Sequence, residues 1–198
     1  SESDSLLYIG AQILGRIGSP RAIPFLRQLT RRDNPFVRRE AVVALGQTGY
    51  RGLVPDLSRI LAADRDVAVR AAAAQSLALL RDTLAVEPLL TALQDTAALV
   101  RRGALASLQH YWTPEVEQTC RLCLRDGDEA VRFIAAQMLG IHRSGPALGA
   151  LCVALSDSSA SVRTEAARAL GLLGDTAAVE SLVGLLRRTE GPDQEAAR

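Results

Sequence analysis

An all-α fold, a right-handed α-solenoid of about six antiparallel helix pairs with no β-sheet, is what three features of this 198-residue chain predict. One dipeptide returns at a nearly constant interval. Ala, Leu and Val supply the apolar mass and aromatic residues make up only 4%, which suits close-packed helices better than a sandwich of sheets. Within each interval lie two stretches of helical apolar spacing, joined by a short Asp-bearing turn.

The dipeptide is Val-Arg, at Val37-Arg38, Val69-Arg70, Val100-Arg101, Val131-Arg132 and Val162-Arg163, with Val spacings of 32, 31, 31 and 31 residues. The segments VRREAVVALG, VRFIAAQMLG and VRTEAARALG share a small fifth residue and a ninth-position Leu, and Leu45, Leu77, Leu108, Leu139 and Leu170 hold that ninth place. One interval before Leu45 stands Leu14, inside LLYIGAQILG, so a further copy precedes the first Val-Arg. A period of this size marks a repeat architecture, in which each unit buries its apolar face only against its neighbours.

In chain order, the second helix of each pair is predicted to start near Leu6, Val37, Val69, Val100, Val131 and Val162. Apolar residues at the first, fifth, eighth and ninth places form one helical face, and Ala41, Ala73, Ala104, Ala135 and Ala166 leave room for close neighbours. The first helices are predicted over Pro24–Leu29, Pro55–Leu61, Pro88–Leu93, Val116–Leu124, Leu148–Leu155 and Val179–Leu186. Pro at the head of three of them fits a first turn, where no backbone donor is lost. Asp33-Asn34, Asp64, Asp66, Asp95, Asp126, Asp128 and Asp157 stand where they can cap the following helix, and Gly18, Gly49 and Gly174 stand where a helix ends. Arg38, Arg70, Arg101, Arg132 and Arg163 are expected to form a ladder, each reaching an Asp of its own or the adjacent turn by the bidentate pairing that Arg allows. Near the C-terminus Glu195-Ala196-Ala197-Arg198 repeats Glu165-Ala166-Ala167-Arg168, the start of a further second helix. At the other end Leu6 to Ile17 is apolar nearly all round, with no first helix before it. Such ends are expected to belong to a longer solenoid, or to associate end to end through the apolar N-terminal helix.

These residues resemble the HEAT-like repeat of the phycobilisome-lyase type, whose pattern is roughly D-x-x-x-x-V-R-x-x-A-A-x-A-L-G, along nearly the whole chain. The resemblance implies a single armadillo-type repeat domain over 1–198, with the second helices lining a concave face. Two exposed rows should then run along that face. Tyr8, Arg39, Ala71, Arg102, Phe133 and Thr164 lie two residues after each Val position, and Gln12, Val43, Gln75, Ala106, Gln137 and Arg168 lie six after.

Candidate chemistry is sparse. All 23 basic residues are Arg, so no lysine chemistry is available, and a net charge of +1 argues against nucleic acid as a partner. Three cysteines, an odd number, do not form a disulfide framework and point to a reducing, cytoplasmic setting. No charge-free apolar run is long enough to span a membrane. Cys120 and Cys123 form a C-x-x-C inside a helical pattern and, with Cys152, read as core. His110 and His142 lie near the ends of second helices. Hypusine-forming hydroxylases of the HEAT type carry paired His-Glu metal motifs; no His-Glu dipeptide occurs here, which excludes that iron chemistry. No catalytic residue, cofactor or metal site is expected.

The binding residues expected are therefore Tyr8, Arg39, Arg102, Phe133, Gln75, Gln137 and Trp112. Trp112 is the single Trp and breaks the fourth copy within His110-Tyr111-Trp112, either filling the gap of a missing Gly turn or offering an aromatic anchor. Such a mix is interface-like, and the cluster of Arg27, Arg31, Arg32, Arg38 and Arg39 would favour an acidic segment. The function expected is a non-enzymatic scaffold that binds a protein or peptide partner in the groove. The resemblance also implies an alternative, a bilin lyase-like subunit, in which Tyr8, Arg39, Arg102 and Phe133 would meet tetrapyrrole rings and propionates. A HEAT-like DNA-binding protein is a further alternative, disfavoured by the charge.

Overall fold

The structure, a computed structural model, describes residues 2–189. Among these residues there are helices and no strands. They are α1 (Glu2–Ile17), α2 (Ile23–Leu29), α3 (Pro35–Gln47), α4 (Val54–Ala63), α5 (Val67–Leu80), α6 (Val86–Ala92), α7 (Ala98–Leu108), α8 (Pro114–Cys123), α9 (Glu129–Ile141), α10 (Leu148–Ala154), α11 (Ala160–Leu173) and α12 (Val179–Thr189). Five first-and-second pairs follow one another from α2/α3 to α10/α11. They are flanked by α1, of the second type, and α12, of the first. The repeated Glu195-Ala196-Ala197-Arg198 lies outside the described residues.

From α3 onward, each second helix begins two residues before its Val, because the cap sits three before it. Asn34 Oδ1 accepts the Phe36 N–H at 3.0 Å. Asp66 Oδ1 accepts from Ala68 and Val69 at 2.9 and 3.1 Å, and Asp128 Oδ1 from Ala130 and Val131, both at 3.1 Å. These bonds satisfy backbone donors that the first turn leaves over.

The chain divides into two compact units, with the boundary between Tyr111 and Trp112. In the first, α3 packs on α1, α5 on α3 and α7 on α5; in the second, α11 packs on α9. Both are helix-pair stacks of the α-solenoid class. Each core is built from the repeated positions: Val37, Val69, Val100, Val131 and Val162 are buried, as are Leu45, Leu77, Leu108, Leu139 and Leu170. First helices add Leu26, Leu57, Leu89, Val116, Cys120 and Leu151.

The second helices stack closely because small residues meet. A Cβ placed on Gly46 would lie 2.6 Å from the Ser76 Cβ, and one on Gly140 would lie 2.7 Å from the Ala169 Cα. The helix ends are also repeated. Gly18, Gly49 and Gly174 are left-handed, with φ near +66 to +70°, as a helix C-cap requires. Arg81 and Arg143 take the same place in two other copies at φ +49°, at a cost on the order of 1 kcal/mol for a residue with a Cβ. In the fourth copy this place falls to Trp112, which is not left-handed, and it is here that one unit gives way to the next.

Candidate functional site

The ladder is the most regular polar feature of the molecule. Arg38 donates from Nε and Nη2 to Asp64 at 3.0 and 2.9 Å. Arg70 does the same to Asp95 at 2.8 and 3.0 Å, and Arg132 to Asp157 at 2.7 and 2.8 Å. In all five arginines Nη1 also donates to a backbone carbonyl of the preceding turn: Asp33 at 2.7 Å, Asp64 at 2.9 Å, Asp95 at 2.9 Å, Asp126 at 2.9 Å and Asp157 at 2.8 Å. One guanidinium thus ties its own turn to the next, a geometry that an ammonium cannot reproduce. The Asp carboxylates also accept the N–H two residues on, from Asp66, Ala97 and Ser159, at 2.8 to 2.9 Å. Arg70 and Arg132 hold Asp95 and Asp157 below the usual carboxylate range, against a smaller opposing effect of burial. For Asp64 burial is the largest single influence and acts upward, but the Arg38 bonds, the Asp66 N–H and nearby positive charge together bring it below its usual value. The ladder is structural, and Arg38 is buried in it.

This reduces the basic cluster expected near α3. Arg38 is engaged by Asp64, and Arg27 pairs with Asp56 at 2.6 Å. Arg39 remains exposed.

Tyr8 and Arg39 are brought together. They line a groove of about 470 Å³ between the N-terminal halves of α1 and α3, with Asp4, Ser5, Ile9, Asn34, Phe36 and Val37. The Tyr8 hydroxyl accepts from Gln12 Nε2 at 3.1 Å, which fixes the ring on α1. Asn34 donates to Asp4 at 3.2 Å across the groove end. Phe36 is exposed and is an aromatic wall that sequence reasoning passed over. It sits one residue before the repeated Val, outside both rows.

The other expected residues lie elsewhere. In the first unit Gln75 is exposed on α5 and Arg102 half-buried on α7; in the second, Phe133 and Gln137 are half-buried on α9. Ala71 does not belong to an exposed row: it is buried, with α7 packed over it at Gly103, where a Cβ would lie 3.4 Å from the Ala71 carbonyl oxygen. The Trp112 ring stacks on His142, with centroids 3.9 Å apart and planes at 6°. One face of the expected aromatic anchor is therefore covered from within its own unit. A second groove, of about 590 Å³, runs between α4 and α6 over Leu61, Ala62, Pro88 and Ala92, and holds none of the expected residues.

Among the described residues no group of three or more His, Cys, Asp or Glu is placed to hold a metal ion. His110 is exposed, His142 lies under Trp112, and Cys120 is fully buried, its thiol pushed up to about 12 by that burial and secondarily by Cys123 and Glu117. No helix among the described residues is long and apolar enough to cross a membrane.

Stacked helix pairs clasped turn to turn by Arg and Asp define a helical-repeat protein. A family model described as HEAT repeats matches residues 1–78, 54–119 and 116–198, and the chain belongs to the HEAT-repeat family. Deoxyhypusine hydroxylase of Candida glabrata is 31% identical over 194 residues, which cover 95% of this chain and 59% of that relative. The hydroxylase of Eremothecium gossypii is 39% identical over 69 residues, 34% of this chain and 21% of that one. The chain therefore spans about three fifths of the first relative's length. Among solved structures, the complex of CpcE and CpcF of phycocyanin lyase from Nostoc sp. PCC7120 matches with a TM-score of 0.62 at 27% identity, over 89% of this chain and 74% of that one.

These relatives correct the functional expectation. A non-enzymatic scaffold was expected, and the kinship over most of the chain is with an enzyme. The reasons for the error are physical. Repeat spacing reports packing, which an enzyme and an adaptor of this architecture share, and motif searching finds only chemistry carried by adjacent residues.

Proposed function

We propose that this chain is part of a HEAT-repeat enzyme and that its own share of the work is to hold substrate in the groove between α1 and α3. The enzyme reading is carried by the identity with deoxyhypusine hydroxylase across 95% of the chain. The groove supports the binding role. Tyr8 and Phe36 offer aromatic surface, and Arg39 projects an exposed guanidinium beside them. That lining suits an apolar side chain next to a carboxylate on a protein substrate. The iron of the hydroxylases does not fit the described residues, which provide neither a His-Glu pair nor a cluster of ligands. No step through a metal follows for this chain. We further propose that it works beside another protein chain, a reading supported by its likeness to the two-chain phycocyanin lyase.

Calorimetric titration with a deoxyhypusine-bearing protein and with phycocyanin, together with mass-spectrometric product analysis and iron determination, tests this. The expected result is binding of one of the two, weakened roughly tenfold or more by Arg39→Ala, with no stoichiometric iron. Binding of neither would remove the groove assignment. Hydroxylation by the protein loaded with stoichiometric iron would overturn the division of labour.

A further inference from the structure

The ladder changes chemistry at one place, the turn between α2 and α3. Arg70 and Asp95, like Arg132 and Asp157, are 25 residues apart. Leu7 and Arg32 stand at the same separation in the preceding copy. Leu7, on α1, holds the register position of the ladder guanidinia. Arg32 stands five residues before Val37, as Asp64, Asp95 and Asp157 stand five before Val69, Val100 and Val162. An Arg–Asp rung is thus replaced by Leu and Arg, and the carboxylate place of this turn carries a cation.

The exchange leaves donors without an acceptor. Asp64, Asp95 and Asp157 each take a guanidinium and the backbone N–H two residues on. A guanidinium has no lone pair to offer, so Arg32 cannot accept the Asn34 N–H in that way. Arg32 and its neighbour Arg31 are exposed, and among the described residues neither side chain has a hydrogen-bond or ion-pair partner.

Both line a groove of about 360 Å³ between the α2–α3 turn and the α4–α5 turn, with Arg38, Asp33, Asp64 and Arg65. Both turns lie inside the first unit, with described helices on either side. Arg38 and Asp64 balance one another there, and Arg65 lies 3.5 Å from the Asp33 carboxylate. The groove therefore keeps the positive charge of Arg31 and Arg32. Its walls are tied together, since the Asp33 carbonyl accepts from Arg38 at 2.7 Å and from Arg65 at 3.1 Å.

We propose that this groove docks an acidic segment of a partner protein, with Arg31 and Arg32 meeting carboxylates that the chain itself does not supply. Carboxylate is the anion that the same place of the repeat provides in the other rungs, where Arg holds it through paired bonds. Two adjacent guanidinia suit two neighbouring acidic side chains. The α1–α3 groove is a separate site: Arg39 lines it, and neither Arg31 nor Arg32 does.

Fluorescence anisotropy of a labelled oligoglutamate peptide, titrated with the full chain at low and moderate salt, tests this. The expected result is saturable binding that weakens with salt. It should fall roughly tenfold or more with Arg31→Glu, and likewise with Arg32→Asp. Arg32→Asp restores the residue type of the other rungs, able to accept the Asn34 N–H, so the melting temperature should hold. Arg125 stands where Arg31 stands in its own copy but is followed by Asp126. Arg125→Glu should therefore leave binding unchanged, as should Arg39→Ala. Absence of binding, equal loss with Arg125→Glu, or tighter binding of a single-stranded DNA of equal charge would each overturn the docking site. Loss with Arg39→Ala but not with Arg31→Glu would do so too. Failure of the α1–α3 groove to hold substrate would leave this site standing.

Discussion

At the scale of single residues, the ladder couples stability to pH and to the shape of a cation. Asp64, Asp95 and Asp157 carry folded-state values below their ordinary value of 3.8. Carboxylates depressed in this way contribute stability that is fully present above the ordinary value. It is lost as pH falls through the lower folded values. Thermal melting followed by circular dichroism should therefore be level above about pH 5 and decline steeply in the more acidic range. Arg132→Lys should lower stability at neutral pH by about 1–2 kcal/mol, since one nitrogen replaces the fork that bonds Asp157 and the Asp126 carbonyl together. Its acid decline should also be shallower than that of the parent. An unchanged melt on Arg132→Lys would mean that the bidentate geometry contributes nothing.

At the scale of the element, one repeated place separates packing from propensity. Gly140 and Gly171 are equivalent positions on α9 and α11. A Cβ on Gly140 would meet Ala169 at 2.7 Å, whereas a Cβ on Gly171 would meet nothing within 4 Å. Gly140→Ala should therefore cost about 1–3 kcal/mol through forced displacement of α11. Gly171→Ala should add about 0.5–1 kcal/mol by removing glycine from a helix interior. Denaturant unfolding of the two variants in the dilute protein gives the signs directly, and equal signs would contradict this account of α9–α11 contact. The elements themselves were largely legible in the sequence. The Val-Arg spacing placed each second helix from α3 onward to within two residues, and Gly18, Gly49 and Gly174 marked helix ends that are left-handed in fact. Arg81 and Arg143 at the same place were not legible, because nothing in an Arg announces a positive φ. Neither was the burial of Ala71, which α7 covers from one repeat away. The candidate groove was half legible: Tyr8 and Arg39 were visible as a row, but Phe36 was hidden by its position just outside the repeat consensus.

At the scale of the whole molecule, contacts in helix-pair stacks are local, so unfolding need not be one event. Trp112 is the single Trp and belongs to the second unit, where it rests on His142. Its fluorescence reports on that unit, while helical circular dichroism reports on both. Urea unfolding watched by the two signals should give midpoints that do not coincide; coincident curves would show the chain to unfold as one cooperative body. The molecule also shows why its function was less legible than its fold. Packing is written in residues that recur, and recurrence is visible in a single chain. The α1–α3 groove, proposed above to hold substrate, is lined by residue types that do not recur from copy to copy, such as Tyr8 and Phe36.

The Arg–Asp clasp also restricts how such a chain can change its length over time. Duplicating or deleting a whole repeat returns a paired guanidinium such as that of Arg70 or Arg132 to a carboxylate at the same spacing. Inserting a single residue between the two slides the pair out of register unless a neighbouring helix takes up the slack. One such accommodation is present: Arg38 and Asp64 are 26 residues apart where the other two pairs are separated by 25. The intervening α4 has 10 residues, against 7 in α6 and α10. Growth of the gene is thereby steered toward steps of one full helix pair, with first helices as the places where an odd residue can be tolerated.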